Sequence, residues 1–515
     1  MRSRRRGLLT LAIVAVAIVA AWLPAMGAPW VYDDKIEVVG NRSIRLLEEL
    51  GAIATYNTSR PLLIATYALN WRLGGFDPLG YHVVSVAIHV LNVLLVARLC
   101  RHFTDPTRAL LAATLWGLHP MCIEAVTYIS GRSDALCATG WLLAMIAWAE
   151  DRRALAWIAT GAALLTKETA LAIPIALWGV DRALGRPTAL RAMAPAAGLI
   201  GAASALRLAM YGWPAGEVPR DAWVQAATET EGWTRYLGLW LLPIGQSILH
   251  DLPAAVTPAR VGMGVGWVAA MVLGVRAGGL AALATAIWGG TLVLASILPM
   301  KEFIPEHRAY LAGLAVVLPF AAWVRWSRAA FALAGVLFAA TVSRNLLWTS
   351  EVAIWEEAAR WNPASADAAY GHGDALRFAG DFPGAEAAYR ACLALDPDRL
   401  DAKVNLGITR AEQGDLAGAK VLWLETLRAD PKHCAAHNDL AGLDLRAHRL
   451  QEAISGYATT LAWCPQDPIA HLNLGNLFFD LGRAHEAARH FHTYLDVAPE
   501  GPGAVAARET LRRIE

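Results

Sequence analysis

Five prolines, Pro363, Pro397, Pro431, Pro465 and Pro499, follow one another at intervals of 34 residues. Trp355, Tyr389, Trp423, Tyr457 and Phe491 keep the same interval, as do Ala385, Ala419, Ala453 and Ala487, and Gly373, Gly407, Ala441 and Gly475. A period of this length, with small residues where helices cross, belongs to helix–turn–helix units stacked into a solenoid. Four full units follow a half unit that starts near Ser350. Residues 503–515 are helix-compatible and would cap the exposed end.

The pattern is the tetratricopeptide signature. In such units the first helix lines a concave groove. Asn405, Asp439 and Asn473 occupy one position of that helix in three successive units. Side chains in such a ladder can hold the backbone of an extended peptide, so these three are candidates for contact with an acceptor or partner protein. The plainer reading is that Asn is common at that position.

Upstream of the repeats the composition changes. The 515-residue chain is 56% hydrophobic with a mean hydropathy of +0.37, and its long apolar runs are confined to residues 7–348. That is too apolar for an ordinary soluble protein. The expected fold is all-α: a polytopic membrane helix bundle over 1–348, then a tetratricopeptide-repeat domain over 349–515. Apolar runs near 7–26, 80–100, 109–125, 134–149, 154–166, 169–180, 190–208, 261–275, 279–298, 308–324 and 329–347 give about eleven spans. Ala25-Met26-Gly27-Ala28 resembles a cleavage site, but the preceding run is long enough to span and many more follow, so it is read as a retained span.

Arg2, Arg4, Arg5 and Arg6 put the N-terminus in the cytoplasm. Alternation from there keeps the arginine-bearing breaks inside, among them those with Arg98, Arg152, Arg186, Arg276 and Arg325, and sends the repeats outside. This holds when Trp233–Ile248, interrupted by Pro243, Gly245 and Gln246, is interfacial or re-entrant. The chain is thus expected in the inner, cytoplasmic membrane with an extracytoplasmic repeat domain. A net charge of +1 gives no case for nucleic-acid binding, and six cysteines without a CxxC show no metal-ligand spacing.

The outer loops then collect the unusual residues. Tyr32, Asp33, Asp34 and Arg60 lie in the first; His119, Glu124, Arg132 and Asp134 in the second; Lys167 and Glu168 in the third; Lys301-Glu302-Phe303 and Glu306-His307-Arg308-Ala309-Tyr310 in a later one. Any one cluster reads most simply as snorkelling charges, and the aspartate pair as a solvated loop or helix cap. Four clusters on one membrane face favour a shared polar site, with Asp33, Asp34, Glu124, Arg132, Asp134, Glu306 and Arg308 lining one outward cavity. Such a site suits glycosyl transfer from a polyprenyl-phosphate sugar. A carboxylate takes the proton of an acceptor hydroxyl, and Arg and Lys stabilise the leaving phosphate. A second carboxylate could hold the first or bind a divalent metal ion.

Tyr32-Asp33-Asp34, Arg60-Pro61-Leu62, Tyr81-His82, His119-Pro120 with Glu124, Gly131-Arg132-Ser133-Asp134, Lys167-Glu168 and Glu306-His307-Arg308-Ala309-Tyr310-Leu311 come in this order before the repeats. In that order the chain resembles the membrane-plus-tetratricopeptide O-mannosyltransferase family of the GT-C superfamily, over almost its whole length. The resemblance implies a polyprenyl-phosphate mannose donor from the membrane and Ser/Thr acceptors on a translocated protein. It places the general base on Asp33 and Asp34. Arg60, Arg132, Lys167, Glu168 and Arg308 fall to the donor and its phosphate. Tyr32, His119, Glu124, Asp134, Glu306, His307 and Tyr310 line the site. The chain departs from the family at Ala312-Gly313 and at Asn57-Thr58-Ser59. Two other readings stay open: a non-enzymatic membrane scaffold displaying the repeats, and a lipid-linked glycan transferase for another sugar or acceptor.

Cys434 begins the first helix of one repeat and Cys464 ends the second helix of the same repeat. A bridge is open to them in an oxidising compartment, but two unpaired helix-end cysteines are the preferred expectation.

Overall fold

The computed structural model describes all residues except Met1, 46–50, 52–59, 189, 212–220, 254, 298–303, 325–326 and 500. Asn57-Thr58-Ser59, Lys301-Glu302-Phe303 and Arg325 therefore lie outside the described residues. Every described element is helical, with no strand among the described residues. The chain divides into two compact units, Met1–Trp361 and Asn362–Glu515. The first unit thus runs past the composition change at Trp348 and takes in the helix Glu351–Trp361.

Helix starts in the first unit follow local chemistry. Asp77 accepts from the Leu79 N–H ahead of Pro78–Cys100, and Asp105 accepts from the Thr107 and Arg108 N–H groups ahead of Pro106–Gly117. Both place Pro at the first helical position, where its missing N–H costs nothing. Each of the eleven apolar segments overlies a helix. Among the described residues three helices, Pro78–Cys100, Pro258–Ala277 and Arg328–Leu347, are long and apolar enough to cross a membrane, or four counting the pair Pro106–Gly117 and Pro120–Val126, bent by 62°. The expected eleven spans are not met on this measure. Arg153–Leu164, Ile173–Ala183 and Leu314–Trp323 hold only 12, 11 and 10 residues, against the roughly 20 a straight span needs.

The stretch Trp233–Ile248 also differs from expectation. Its first part completes a helix, Ala222–Leu241, that starts eleven residues earlier, and its last part is irregular. Small residues let the first unit's helices approach closely. A Cβ on Gly140 would lie 2.6 Å from the Ala163 Cβ, and one on Gly179 would lie 2.7 Å from that of Ala286. Trp22, Trp116, Trp141 and Trp148 are among the largest fully buried side chains.

In the second unit the 34-residue period has a direct packing cause. A Cβ on Gly373 would meet the Tyr389 ring at 2.7 Å, one on Gly407 the Trp423 ring at 2.4 Å, and one on Gly475 the Phe491 ring at 2.7 Å. Each of these repeats thus seats an aromatic residue of its second helix over a small residue of its first. Gly380, Gly414 and Gly482 take left-handed φ values of 82°, 92° and 72° at the turns between paired helices. The corresponding position of the third full repeat is His448, which adopts φ 56° without glycine's freedom. Cys434 and Cys464 form a disulfide, with Cα atoms 6.4 Å apart. That corrects the preference for free thiols: antiparallel packing of Cys434–Arg446 on Leu450–Trp463 brings the two helix ends side by side.

Candidate functional site

The first unit gathers ionisable groups from four segments around one imidazole. Arg60 precedes the helix Pro61–Gly74, Glu124 lies in the short helix Ile123–Val126, Asp134 lies in the first turn of Arg132–Ala149, and Lys167 precedes the turn Glu168–Ala172. The turn Glu306–Ala309 brings in His307 and Arg308. The His307 backbone N–H donates to Glu124 Oε2 at 2.9 Å, and its Nδ1 lies 3.2 Å from the same oxygen. On the other edge of the ring, Nε2 is 3.8 Å from Asp134 Oδ2. Lys167 Nζ donates to that Asp134 oxygen at 2.5 Å. Arg60 Nη2 donates to both carboxylate oxygens of Glu168, at 3.2 and 3.3 Å.

Arg308 Nη1 lies 3.9 Å from Glu229 Oε1. With Asp134, Arg308 lines a cavity of about 20 Å³, room for about one water. Burial, reinforced by Lys167, Arg308 and Arg60, holds the His307 imidazole well below its usual pKa. The short connection from Glu124 to Asp134 has no slack. A Cβ on Gly131 would lie 1.9 Å from the Glu124 carbonyl oxygen, so only glycine fits.

The aspartate pair divides into two environments. Asp34 is 1% exposed; its Oδ1 accepts from the Ser130 N–H and hydroxyl, both at 2.7 Å, and its Oδ2 from the Val31 N–H at 3.3 Å. Burial raises its pKa to about 7 against the pull of those hydrogen bonds. Asp33 is half-buried, and its backbone N–H donates to the Tyr128 hydroxyl at 3.2 Å. Tyr128 in turn packs against His307, with ring centroids 6.3 Å apart.

Five expected site residues lie apart from this cluster. Arg132 is fully buried and donates to Ser85 Oγ, Asn70 Oδ1 and the Tyr81 carbonyl, beneath the Tyr67 ring. Tyr310 places its hydroxyl against His89 Nδ1 at 2.8 Å and Asn92 Nδ2 at 3.2 Å inside the helix core. His119 accepts from the Met121 N–H and stacks on Trp240 at 4.2 Å. Tyr32 takes φ 49° and meets the Trp355 ring edge-on at 5.8 Å. Glu306 turns into a second nest, accepting from Gln246 Nε2 at 2.8 Å and the Ser247 N–H at 2.7 Å, with His250 Nε2 2.9 Å away. Burial alone would raise the Glu306 carboxyl; His250, Arg344 and the Ser247 N–H outweigh it and hold the group below its usual range. Of the seven residues expected to share one cavity, Asp134 and Arg308 line this one.

Gln246, Ser247, His250, Glu229, Tyr128 and Ser130 were not singled out as site residues by sequence. The Gly245-Gln246 break in an apolar run was the only local sign of the Glu306 nest. Among the described residues no three His, Cys, Asp or Glu side chains are grouped to hold a metal ion. In the repeats, Asn405 Nδ2 donates to Tyr370 Oη at 3.0 Å and Asp374 Oδ1 at 2.8 Å. Asp439 keeps the same helix register, and burial raises its pKa to about 7.

Fold and sequence together define an all-helical membrane protein that carries tetratricopeptide repeats. The Tetratricopeptide repeat family matches residues 352–399, 370–433 and 438–505. The resemblance to the membrane-plus-tetratricopeptide O-mannosyltransferases is borne out by curated relatives. The chain is 28% identical to Protein O-mannosyl-transferase Tmtc2 of Drosophila melanogaster over 43% of its own length and 27% of the relative's. It is 31% identical to TMTC4 of Homo sapiens over 28% of its length and 23% of the relative's. It is 23% identical to TMTC3 of Mus musculus over 27% and 17%. The chain thus spans about a quarter or less of the length of these relatives. Among solved structures it is similar to the MamA protein at 22% identity and TM-score 0.24, covering 29% of this chain and 80% of that one. It is also similar to a thermophilic TPR protein of Thermus thermophilus at 19% identity and TM-score 0.29, covering 35% and 95%.

Proposed function

We propose that this chain is an integral-membrane glycosyltransferase of the GT-C type. It moves a sugar, mannose by its resemblance, from a polyprenyl-phosphate donor to Ser/Thr hydroxyls of an extracytoplasmic protein. The observation that carries the reading is the convergence of Arg60, Lys167 and Arg308 with His307 around Asp134. Three cations within one partly buried cluster suit a leaving phosphate on which charge grows as the sugar–oxygen bond breaks. The acceptor proton falls to the aspartate pair, with Asp33 as the base and Asp34 as the anchor that holds it, because Asp34 already accepts three hydrogen bonds.

The topology belongs to the same reading. Arg2, Arg4, Arg5 and Arg6 keep the N-terminus in the cytoplasm. The Cys434–Cys464 disulfide favours an oxidising compartment for the repeats. An odd number of crossings, about eleven in the GT-C arrangement, reconciles the two. The repeats then present Asp439 and Asn473, with Asn405, to an extended stretch of acceptor or partner protein.

The test is reconstitution of the full chain in proteoliposomes with radiolabelled polyprenyl-phosphate mannose and Ser/Thr-rich peptides. Mannosidase-sensitive label on the peptide is expected. Failure to label any hydroxyl acceptor, with donor intact and protein folded, would overturn the reading.

A further inference from the structure

His307 is 17% exposed at its side chain and has a carboxylate at each ring nitrogen, Glu124 at 3.2 Å and Asp134 at 3.8 Å. An imidazole flanked this way is set to carry a proton on both nitrogens. Burial opposes that first, and three cations add to it: Lys167 on the Asp134 side, Arg308 from its own turn and Arg60 from the start of the helix Pro61–Gly74. Among the described residues, the other charges around these cations are Glu168, paired with Arg60, Glu37, which also acts on Arg60, and Glu229 beside Arg308. An anion that enters among these cations shifts the balance at His307 toward the protonated ring.

We propose that His307 takes up a proton when the donor phosphate binds, and gives that proton from Nε2 to the phosphate oxygen as the sugar leaves. This rests on the transferase reading above. The bound phosphodiester carries one negative charge and neutralises part of the cation cluster, which favours imidazolium. Glu124, accepting from both the Nδ1–H and the backbone N–H, fixes the ring with Nε2 toward Asp134, which lines the cavity. In the transfer step the acceptor oxygen bonds to the anomeric carbon and its proton goes to Asp33. The anomeric carbon–oxygen bond breaks, its electron pair goes to the phosphate, and the departing monoester receives the His307 proton. Asp33 and His307 then return to their starting states by exchange with water. His307 is thus a catalytic residue and Glu124 its positioning residue.

The test uses the full chain in nanodiscs and farnesyl phosphate as the probe. Calorimetry near pH 7 in buffers of different ionisation enthalpy should show net proton uptake of up to one per ligand. Affinity should weaken by up to about tenfold per pH unit on the alkaline side. His307→Gln should abolish the uptake and flatten that dependence. With polyprenyl-phosphate mannose its kcat should fall on the order of 10²-fold at unchanged acceptor KM. Added imidazole should restore part of the activity of His307→Ala, which a packing role would not allow, and Glu124→Gln should shift the pH profile while still binding the probe. Uptake that persists in His307→Gln, or binding with no uptake in the wild type, would overturn the proposal. Mannosyl transfer in the same preparation would then leave the transferase reading standing. No binding and no transfer would overturn both.

Discussion

Asp34 and Ser130, 96 residues apart in sequence, are joined by two hydrogen bonds of 2.7 Å that end on one carboxylate oxygen. Asp33, its neighbour, ties to the same region through its backbone N–H. The two should therefore respond differently to substitution. Asp34→Ala leaves the Ser130 N–H and hydroxyl without their acceptor and should cost about 2–3 kcal/mol of stability, read as a lower melting temperature in detergent. Asp33→Asn should leave melting unchanged and lower kcat by on the order of 10²–10⁴-fold. Equal loss of melting temperature in both variants would contradict the division of labour.

The Cys434–Cys464 bridge closes a loop with a sequence separation of 30. Replacing both cysteines by serine should lower the stability of the repeat unit by about 3 kcal/mol, seen as an earlier denaturant midpoint of the repeat transition in the full chain. Mass spectrometry of protein taken from cells without reductant should find the two cysteines in one linked peptide pair. Alkylation of both thiols under those conditions would count against the bridge and against extracytoplasmic repeats.

His448 stands where three other repeats place glycine, at φ 56°. A left-handed conformation costs a side-chain-bearing residue roughly 1–2 kcal/mol, offset in part by the greater chain entropy of unfolded glycine. His448→Gly should thus raise the repeat unit's stability by about 0.5–1 kcal/mol. An unchanged or earlier denaturant midpoint would show that the turn has relaxed around histidine.

His471 and His490 face each other through their Nδ1 atoms at 3.0 Å, and His471 Nε2 lies 3.0 Å from the Pro465 carbonyl oxygen. One shared proton suits this geometry and two do not. Burial, then His471 and Arg489, lower the His490 pKa to about 4. A histidine lowered on folding stabilises the native state above its unfolded pKa, near 6.5, and that contribution is lost as pH falls toward 4. Helical circular dichroism under mild denaturant should show a transition in this window, absent in His490→Gln.

The repeats were legible because their period is a contact repeated within 34 residues, as Gly407 under Trp423 shows. Glu124, Asp134, Lys167 and His307 could be picked out one by one as ionisable residues near short-helix or turn ends, and the structure brings these four together. Direction was not legible. Arg132 has the same charge as Arg308, yet it turns inward toward Asn70 and Ser85, which lie on other helices. Glu306 finds His250 56 residues away across an irregular segment, a pairing that no local pattern encodes. Span number is read differently from hydropathy and from helix length for a related reason: hydropathy averages over a window, and does not register that Ile173–Ala183 stops after 11 residues.

Gly131 touches the Glu124 carbonyl so closely that the backbone itself spaces the acid from the imidazole it orients. Divergence can rework the charges around this cluster one at a time, because they are side chains drawn from several segments. It has no graded route through position 131, where the smallest side chain already displaces Glu124. In a saturation library that residue should behave as a switch with a single permitted state, among neighbours that tolerate degrees of change.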